Sequence, residues 1–347
     1  MNDLRQVGGI GPKRARAIYE GLRDADPERD ARLCEALDVV AIGQDDPLYP
    51  QMLKPFDDAP RVLWMRGTFE PEDAVAVAIV GSRRCTAYGR LQAGRFATAL
   101  AEAGMAIVSG GALGIDAEAH RGALRVHGRT IAVLGSGLAR PYPADHAGLF
   151  MDIARHGGVV MSEHPVATQA KAGNFPRRNR LIAALSLGVL VIEASDRSGA
   201  LITARYAAET YHRDVMALPG RVDSNSSAGC HALIRRGHAA LVRDVGDVMT
   251  ELKSAGHLIR GIYESEQVAL QVDEHKTPRS TWALATEAQR ALLEILMQSA
   301  EPMLPDTIAS VAQRPLSTVL SDLTALELSG VIERDHRGLR MAHGGRT

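Results

Sequence analysis

The sequence predicts an α/β protein with an extended Rossmann-like fold, in which a doubly wound parallel sheet is flanked by a small helical N-terminal domain and a C-terminal winged helix. Apolar runs alternate with helical patterns over residues 73–253, which indicates parallel strands covered by helices on both faces. A basic, helix-favouring segment opens the chain, and three helical segments followed by a strand and turn close it. We therefore assign residues 1–45 to the helical domain, 46–253 to the Rossmann-like domain, 254–280 to a linker and 281–347 to the winged helix.

Length and composition restrict the class of protein. A chain of 347 residues is too long for one ordinary core, and 46% hydrophobic with 23% charged residues is typical of a soluble globular protein. No apolar run approaches the roughly 20 residues that cross a bilayer, and the N-terminus lacks the apolar core of a signal peptide. We expect a cytoplasmic protein without membrane contact.

Charge and cysteine content exclude further classes. The net charge of −1 gives no global argument for nucleic-acid binding, so any such argument depends on local clusters. Cys34, Cys85 and Cys230 are scattered along the chain, which fits a reducing compartment and excludes a CxxC-type metal site. We expect neither a metal nor a cofactor.

The N-terminal domain resembles half of a helix-hairpin-helix. A Gly-x-Gly turn is followed by a basic segment with a high helix propensity. The amides of such a hairpin bind a phosphate without reading sequence, which makes Gly9, Gly11 and Lys13 candidate phosphate contacts. A tight turn before an amphipathic helix is the alternative.

Residues 46–72 are rich in proline and irregular, with one short edge strand predicted over Leu63–Gly67. The Rossmann-like domain follows, with predicted helices over Tyr88–Ala103 and Ile115–Val126. Its predicted strands are Ala76–Val80, Ala106–Ser109, Thr130–Leu134, Val159–Ser162, Val189–Glu193 and Asp214–Ala217. In this fold a ligand binds beyond the carboxyl ends of the strands.

The winged helix is predicted after the polar linker. Its helices should cover Ala288–Gln298, Leu304–Ala312 and Pro315–Leu328, and Gly330–Arg334 should form a strand and turn.

Glycine turns follow three successive strands. Gly81–Arg84, Ser109–Asp116 and Gly135–Gly137 would free backbone N–H groups for an anion and form one concave rim. Arg83 can hold a phosphate bidentately, although a solvated arginine in a βα turn is the alternative. We expect His120 to be structural or to contact a ligand, because no nucleophile is paired with it.

A cationic cluster with one aromatic residue precedes the fifth predicted strand of the domain. Lys171, Arg177, Arg178 and Arg180 surround Phe175, a composition typical of a groove that binds single-stranded nucleic acid. Not all four cations can face a ligand, and Phe175 packed in the core is the alternative. Glu193 ends this predicted strand, and we slightly favour an internal supporting role for its carboxylate.

The sequence lacks the motifs of several common kinds of chemistry. The chain has no Gly-x-x-x-x-Gly-Lys-Ser/Thr loop, no Gly-x-Gly-x-x-Gly pattern after Gly135, and no cluster of carboxylates and histidines at metal-ligand spacing. We therefore predict no catalytic residue, and neither an ATP-driven motor nor a dehydrogenase.

Assembled in order, these motifs resemble the DprA/Smf family of bacterial DNA-processing proteins. The resemblance covers roughly residues 45–250. Its matching pieces are Gly81-Ser82-Arg83, Ser109-Gly110-Gly111-Ala112-x-Gly114-Ile115-Asp116-x-x-Ala119-His120, Asn174-Phe175-Pro176-x-Arg178-Asn179-Arg180, Ser198-Gly199-x-Leu201-x-Thr203-Ala204 and Leu218-Pro219-Gly220. One departure is Gly229-Cys230-His231, where the family pattern leads us to expect a Gly-x-Asn-type turn.

The resemblance implies a homodimer that binds and protects single-stranded DNA during natural transformation or recombination and loads the RecA recombinase, without acting as an enzyme. The DNA-contacting positions that carry over are Arg83, Arg84, Ser109, Gly110, Gly111, Lys171, Phe175, Arg178 and Asn179.

Two other readings stay open at this point. A nucleotide-processing enzyme would bind phosphate at Ser109–Gly114 and use Glu193 as its acid. A transcriptional regulator would instead bind duplex DNA through the winged helix. Its candidate contacts are Arg314, Arg334, Arg337 and Arg340, for which a solvated surface is an equal alternative.

Overall fold

A computed structural model describes residues 11–23, 26–253, 285–299, 301–335 and 337–342. The helices are α1 (Pro12–Arg23), α2 (Pro27–Ala36), α3 (Ala87–Glu102), α4 (Ile115–Leu124), α5 (Ala147–Arg155), α6 (Asn174–Ala184), α7 (Ala200–Arg205), α8 (Ala228–Arg235), α9 (Val245–Leu252), α10 (Glu287–Gln298), α11 (Pro305–Ala312) and α12 (Leu316–Leu328). The strands are β1 (Val40–Gly43), β2 (Val62–Arg66), β3 (Ala76–Val80), β4 (Ala106–Ser109), β5 (Thr130–Leu134), β6 (Val159–Ser162), β7 (Gly188–Val191), β8 (Asp214–Ala217), β9 (Ala240–Leu241), β10 (Ile332–Asp335) and β11 (Gly338–Met341).

Nine strands form one sheet in the order β1-β2-β6-β5-β4-β3-β7-β8-β9. The seven strands from β6 to β9 in this order are parallel, whereas β1 and β2 are antiparallel additions at one side. The α/β class with a Rossmann-like sheet is therefore confirmed. Every residue of β3, β4, β5, β6 and β7 is buried, as expected for strands covered on both faces.

Alternation along the strands divides the core into two layers. Ala76, Ala78 and Val80 of β3 face α6, α7 and α8, while Val77 and Ile79 face α3, α4 and α9. Beside the second layer, α5 packs on β5 and β6 through Phe150 and Ile153. The helices therefore hold the strand ends in place from both sides.

The chain reverses its direction across the sheet at β3. It runs outward from β3 through β4 and β5 to β6, and then returns to place β7 on the other side of β3. The loops after β3 and β7 consequently diverge at the carboxyl edge and leave a crevice, which is where doubly wound sheets bind ligands.

Two predictions at the N-terminal side need correction. β1 pairs with β2 inside the large sheet, so the helical N-terminal part ends before Val40 and the boundary predicted at residue 45 is too late. The segment predicted as an edge strand is β2, which has β1 on one side and β6 on the other. Only Ile42 of β1 is buried, so this strand differs from the fully buried central strands that the sequence pattern indicated.

The N-terminal hairpin lies mostly outside the described residues, Gly9 among them. Gly11 and Lys13 are exposed, and Lys13 belongs to the first turn of α1. The predicted linker over 254–280 also lies outside the described residues.

The winged helix is present as α10–α12 with the hairpin β10–β11. Its own core includes Leu292, Leu323 and Leu339. The helix α12 also packs on the sheet domain, where Ala325 and Leu328 join the layer formed by α3 and α9. A winged helix and a Rossmann-like sheet therefore share buried surface.

Hydrogen bonds fix this contact between the two domains. The Ser321 hydroxyl donates to the carbonyl oxygen of Glu72 at 3.3 Å, and the Thr324 hydroxyl donates to that of Ala103. Both acceptors lie at the amino edge of the sheet, in the segments that lead into β3 and β4. The docked helix is thus on the side opposite the crevice.

Among the described residues, no helix combines the length and the apolar character that a membrane span needs. The same part of the chain holds no group of three or more His, Cys, Asp or Glu side chains placed to hold a metal ion.

Candidate nucleic-acid interface

An open cleft of about 1020 Å³ lies at the carboxyl edge of the sheet, between the loops that follow β3 and β7. It is lined by Val80, Gly81, Ser82, Arg83, Arg84, Ala112, Asp116, Tyr142, Ala170, Ala172, Phe175, Pro176, Arg178, Asn179, Ile182, Ser195, Ser198, Gly199, Ala200, Ile202, Thr203, Asn225 and Ser226. Its exposed charges are arginines, because Asp116 is buried. Polar loop residues and cations thus meet where the topology predicts a ligand.

The loop after β3 is tied to the loop after β7. The amide of Ser82 donates to the carbonyl oxygen of Glu193 at 2.8 Å, and a side chain at Gly81 would come within 2.9 Å of that oxygen. Glycine is therefore required at position 81. The following side chains of Arg83 and Arg84 are exposed at the cleft.

Three buried side chains clamp the glycine turn after β4. Asp116 accepts from the amides of Gly110 and Ala112 at 3.2 and 3.4 Å, and His146 Nδ1 donates to the carbonyl oxygen of Gly111 at 2.9 Å. Gly111 has φ +65, and a Cβ there would lie 2.5 Å from the ring of Phe150. This turn has one fixed conformation at the rim of the cleft.

Arg178 is the third member of this clamp, and its burial argues against the contact with DNA that was predicted for it. Its side chain is only 3% exposed, and Nη1 donates to the carbonyl oxygens of Gly110 and Val133. Burial lowers its pKa to about 10, while Asp116 acts in the opposite direction, so the guanidinium stays charged at neutral pH. Arg178 therefore supports the turn from below.

Ser109 also faces inward. Its hydroxyl donates to the carbonyl oxygen of Ile79 at 2.7 Å, and Ser109, Gly110 and Gly111 are all buried. Their contribution to the site is the shape of the turn.

Phe175 lies half-buried in the first turn of α6, so neither reading of the sequence describes it fully. The guanidinium carbon of Arg83 is 5.1 Å from the ring centroid, within the range of a cation–π contact. The ring also rests against Gly135, where a Cβ would approach it to 2.9 Å. The structure thus unites the predicted residues Arg83 and Phe175 in one cation–aromatic pair.

Tyr142 is a site residue that the sequence reasoning missed. Its ring centroid is 5.4 Å from that of Phe175, and 47% of the residue is exposed. It follows Gly135–Gly137 in a loop without periodicity. An aromatic residue shortly after a glycine turn was the available signal.

Lys171 precedes Phe175 in the chain, and Asn179 follows it one helical turn later. Lys171 is exposed just before α6, while Asn179 is half-buried and donates from Nδ2 to the carbonyl oxygen of Gly199 at 3.2 Å. The helix α6 begins at Asn174, so Phe175 and Asn179 lie one turn apart on the same helix. Because Asn179 is already bonded, it also joins α6 to the loop before α7.

Two further side chains of the cationic cluster differ in their environment. Arg180 is 6% exposed and donates to Glu163 at 2.6 Å, which anchors α6 from its inner side. Arg177 is exposed and lies 3.5 Å from the same carboxylate. Of the four cations in the cluster, Lys171 and Arg177 are thus exposed, whereas Arg178 and Arg180 are buried.

Glu193 has an internal supporting role, as favoured from the sequence. It is 3% exposed, and its two oxygens accept from the hydroxyl and the amide of Thr86 at 2.6 and 2.8 Å. Thr86 is in turn the N-cap of α3. These contacts couple α3 to β7 and leave little of the carboxylate for a substrate.

His120 is a buried structural histidine. Nδ1 contacts the hydroxyl of Thr130 at 2.7 Å, and that hydroxyl donates to the carbonyl oxygen of Ile107, so Nδ1 carries the proton. Burial lowers the pKa of His120 to about 3, and the cationic neighbours act in the same direction. It is neutral at physiological pH.

Gly229, Cys230 and His231, where the sequence departs from the family pattern, belong to α8. His231 Nε2 lies 3.0 Å from the carbonyl oxygen and 3.3 Å from the amide nitrogen of Gly220. Gly229 packs against the carbonyl oxygen of Ala194. The segment thus supports the loops after β7 and β8.

Comparison with known proteins places these observations in a family. The sequence profile of DNA recombination-mediator protein A matches residues 40–253, and that of the DprA winged helix domain matches residues 275–336. The chain is 34% identical to Protein Smf of Synechocystis sp. over 96% of this chain and 87% of that protein. It is 37% identical to Protein Smf of Escherichia coli over 84% of this chain and 74% of that protein.

Two solved structures are also similar. DNA processing protein A of Streptococcus pneumoniae superposes with a TM-score of 0.61 at 37% identity, covering 70% of this chain and 83% of that one. DNA processing protein A of Helicobacter pylori has a TM-score of 0.54 at 31% identity, covering 60% of this chain and 93% of that one. Its structure is described as giving insight into a unique single-stranded DNA binding mode.

Proposed function

Because the chain belongs to the DprA/Smf family of DNA recombination-mediator proteins, we propose that it binds single-stranded DNA in the cleft at the carboxyl edge of its sheet. The observation that carries this proposal is the pair formed by Arg83 and Phe175, with Tyr142 beside it. Cations that neutralise phosphates and aromatic faces that stack bases are what a single strand requires. The single-strand binding described for the Helicobacter pylori protein supports the same conclusion.

We assign phosphate contacts to the exposed cations Arg83, Arg84 and Lys171, which border the cleft or the start of α6. The turn at Gly110–Gly111 supplies a rigid backbone rim. Phe175 and Tyr142 stack bases, and Asn179 contacts the strand while holding the neighbouring loop. Since Arg83 already covers one face of Phe175, a base stacks on the guanidinium–ring pair or on the exposed ring of Tyr142.

The N-terminal hairpin is a further proposed phosphate contact. Gly11 and Lys13 are exposed at the start of α1, as a backbone phosphate site requires. This contact is independent of the cleft. Lys13→Ala should lower affinity without changing the stacking contribution of Phe175.

The test of single-strand binding is a titration against oligo-dT and a matched duplex at several salt concentrations, with ATP and AMP as competitors. We expect preference for the single strand, no competition by nucleotide, and a salt slope that falls by about 0.7 for each of Arg83→Ala and Lys171→Ala. Phe175→Ala should cost about 1–3 kcal/mol with little change of slope.

Arg155→Ala is the matched control, because Arg155 is exposed at the end of α5 on the opposite edge of the sheet. Unchanged slopes in folded Arg83→Ala and Lys171→Ala proteins would remove these residues from the site. Displacement of oligo-dT by micromolar nucleotide would instead favour a nucleotide-processing enzyme, although the occupied carboxylate of Glu193 speaks against that function.

We further propose that the protein is a cytoplasmic homodimer that protects single strands during transformation or recombination, loads the RecA recombinase onto them and catalyses no reaction itself. Membership of a family of recombination-mediator proteins supports this proposal. Light scattering should give twice the mass of the chain. In a strand-exchange assay the protein should shorten the lag of RecA assembly on single strands, and a monomeric mass or an unchanged lag would refute the corresponding proposal.

A further inference from the structure

The outer surface of α3 continues directly from the cleft. Arg84 lines the cleft, and α3 begins three residues later. The inner face of the helix, with Ala93, Phe96 and Leu100, is buried against the sheet. The opposite face, which is turned to solvent at the edge of the cleft, has a different composition.

The solvent-facing side of α3 carries large apolar groups. Tyr88 is 47% exposed and Leu91 is 68% exposed. Together with the exposed Arg95 they fall within a sector of about 60°, because successive residues of an α-helix are rotated by roughly 100°. We call Tyr88, Leu91 and Arg95 the α3 stripe, which extends about 10 Å along the helix axis.

The charge around the stripe has one sign. The segment from residue 74 to residue 101 contains Arg83, Arg84, Arg90 and Arg95 but no aspartate or glutamate. Arg84, Arg90 and Arg95 lie in no ion pair within the described residues, whereas Arg121 and Arg129 on neighbouring elements are each paired with a carboxylate. Exposed unpaired arginines next to an aromatic ring suit an anionic partner that also carries flat apolar groups.

We propose that the α3 stripe is a second contact for single-stranded DNA, over which a strand passes as it leaves the cleft. Arg84 and Arg95 contact phosphates at the two ends of the path, and Tyr88 and Leu91 contact bases between them. The inference depends on the proposed function, since it extends the same strand. The stripe is continuous with the cleft, and residues 74–101 carry arginines but no carboxylate. Both features favour DNA over a protein partner, because a protein would have to bury arginines that this segment leaves unpaired.

If a strand passes from the cleft onto the α3 stripe, the contribution of the stripe to DNA affinity should depend on the length of the oligonucleotide. An oligo-dT of about 6 nucleotides fills the cleft, and one of about 20 nucleotides also reaches the stripe, given that compact single-strand sites span roughly 4–16 nucleotides. Both are titrated at several salt concentrations against the full chain, its Tyr88→Ser/Leu91→Ser and Arg95→Ala variants, and Arg155→Ala as the matched control.

For the long oligonucleotide we expect Tyr88→Ser/Leu91→Ser to weaken binding about tenfold, and Arg95→Ala to lower the salt slope by about 0.7. Binding of the short oligonucleotide should not change. Equal losses at both lengths, or no loss at either, would overturn the proposal. So would a change of oligomeric mass in these variants with normal DNA binding, which would make the stripe a protein interface. If the unmodified protein bound neither oligonucleotide, the proposed function itself would fail.

Discussion

At the scale of single residues, side chains of one helix point to opposite sides of the rim. Phe175 and Asn179 of α6 border the cleft, while Arg178 points inward to the carbonyl oxygens of Gly110 and Val133. One helical turn thus carries both the proposed ligand contacts and the support of the neighbouring loop. Substitutions at adjacent positions should therefore have different consequences.

Arg178→Met should destabilise the fold by about 3 kcal/mol, because it leaves two buried carbonyl oxygens and the buried Asp116 without their cation. Urea unfolding measures the effect. Arg177→Met, at the exposed neighbouring position, is the control and should change stability by less than about 0.5 kcal/mol. A stable Arg178→Met protein with a reduced salt slope for DNA would return Arg178 to the list of direct contacts.

The stability of the protein should fall in acid because of His120. The unfolded chain binds a proton near the ordinary histidine pKa of about 6.5, whereas burial holds the pKa of folded His120 at about 3. Protons therefore favour the unfolded state between these values, and lowering the pH costs about 1.4 kcal/mol per unit. His120→Asn keeps a donor for Thr130 but cannot titrate.

Unfolding free energies measured between about pH 6.5 and pH 5 should consequently fall more steeply for the natural chain than for His120→Asn. The difference in slope should grow from about 0.7 kcal/mol per pH unit at pH 6.5, where the unfolded histidine is half protonated, to about 1.4 kcal/mol per unit near pH 5. Equal slopes would mean that His120 is accessible to protons in the folded state.

The sequence predicted Arg83 and Phe175, which line the cleft, because charged and aromatic residues beside a strand end can be recognised from the order of residues alone. It could not rank the arginines at 177, 178 and 180, since the 100° rotation between neighbours decides which of them is buried. Tyr142 was missed because it approaches Phe175 only through the loop after β5.

At the scale of elements, the central strands were predicted almost residue for residue. Their apolar runs are continuous and are bounded by glycine or polar residues, which is typical of strands buried on both faces. The strand β7 differs: it covers Gly188–Val191, whereas Val189–Glu193 was predicted. Apolar character continues past its last paired residue because Ile192 and Ala194 are buried in the loop.

The glycine turn after β5 offers a test of how loops shape the site. A Cβ at Gly135 would lie 2.9 Å from Cδ1 of Phe175, a side chain that can rotate away, whereas one at Gly137 would collide with the backbone carbonyl oxygens of Pro165 and Val166. Gly135→Ala should therefore weaken single-strand binding about tenfold with a small loss of stability. Gly137→Ala should lower stability by about 1–3 kcal/mol.

Thermal melting together with oligo-dT binding per folded molecule separates the two effects. Normal binding in Gly135→Ala would show that the position of the Phe175 ring is unimportant for the ligand.

At the scale of the whole molecule, the unexpected feature is the position of α12. In helix-turn-helix proteins a helix of this kind enters the major groove. Here Thr324 is fully buried, Ser321 and Thr324 bond to the sheet domain, and the helix contains no lysine or arginine. Sequence reasoning recognised the winged helix but could not foresee this contact, because nothing in a local pattern shows which surface of a domain meets another domain.

Thr324→Arg should separate the winged helix from the sheet, since a guanidinium cannot fit where Thr324 contacts the carbonyl oxygen of Ala103. We expect a larger radius of gyration in small-angle scattering and the loss of a single cooperative melting transition. Ser317→Arg is the control, because Ser317 is exposed on the same helix. An unchanged radius for Thr324→Arg would mean that the docked arrangement is absent in solution.

Because Ala325 and Leu328 lie in one apolar layer with residues of α3 and α9, each domain completes the surface of the other. A single proteolytic cut introduced between residues 253 and 285 should therefore not release two independent pieces. The nicked chain should still elute as one particle, and the isolated sheet fragment should aggregate more readily because Ala101 and Met105 lose their neighbour. The integrity of the molecule would then depend on this noncovalent contact more than on the peptide bonds that join its halves.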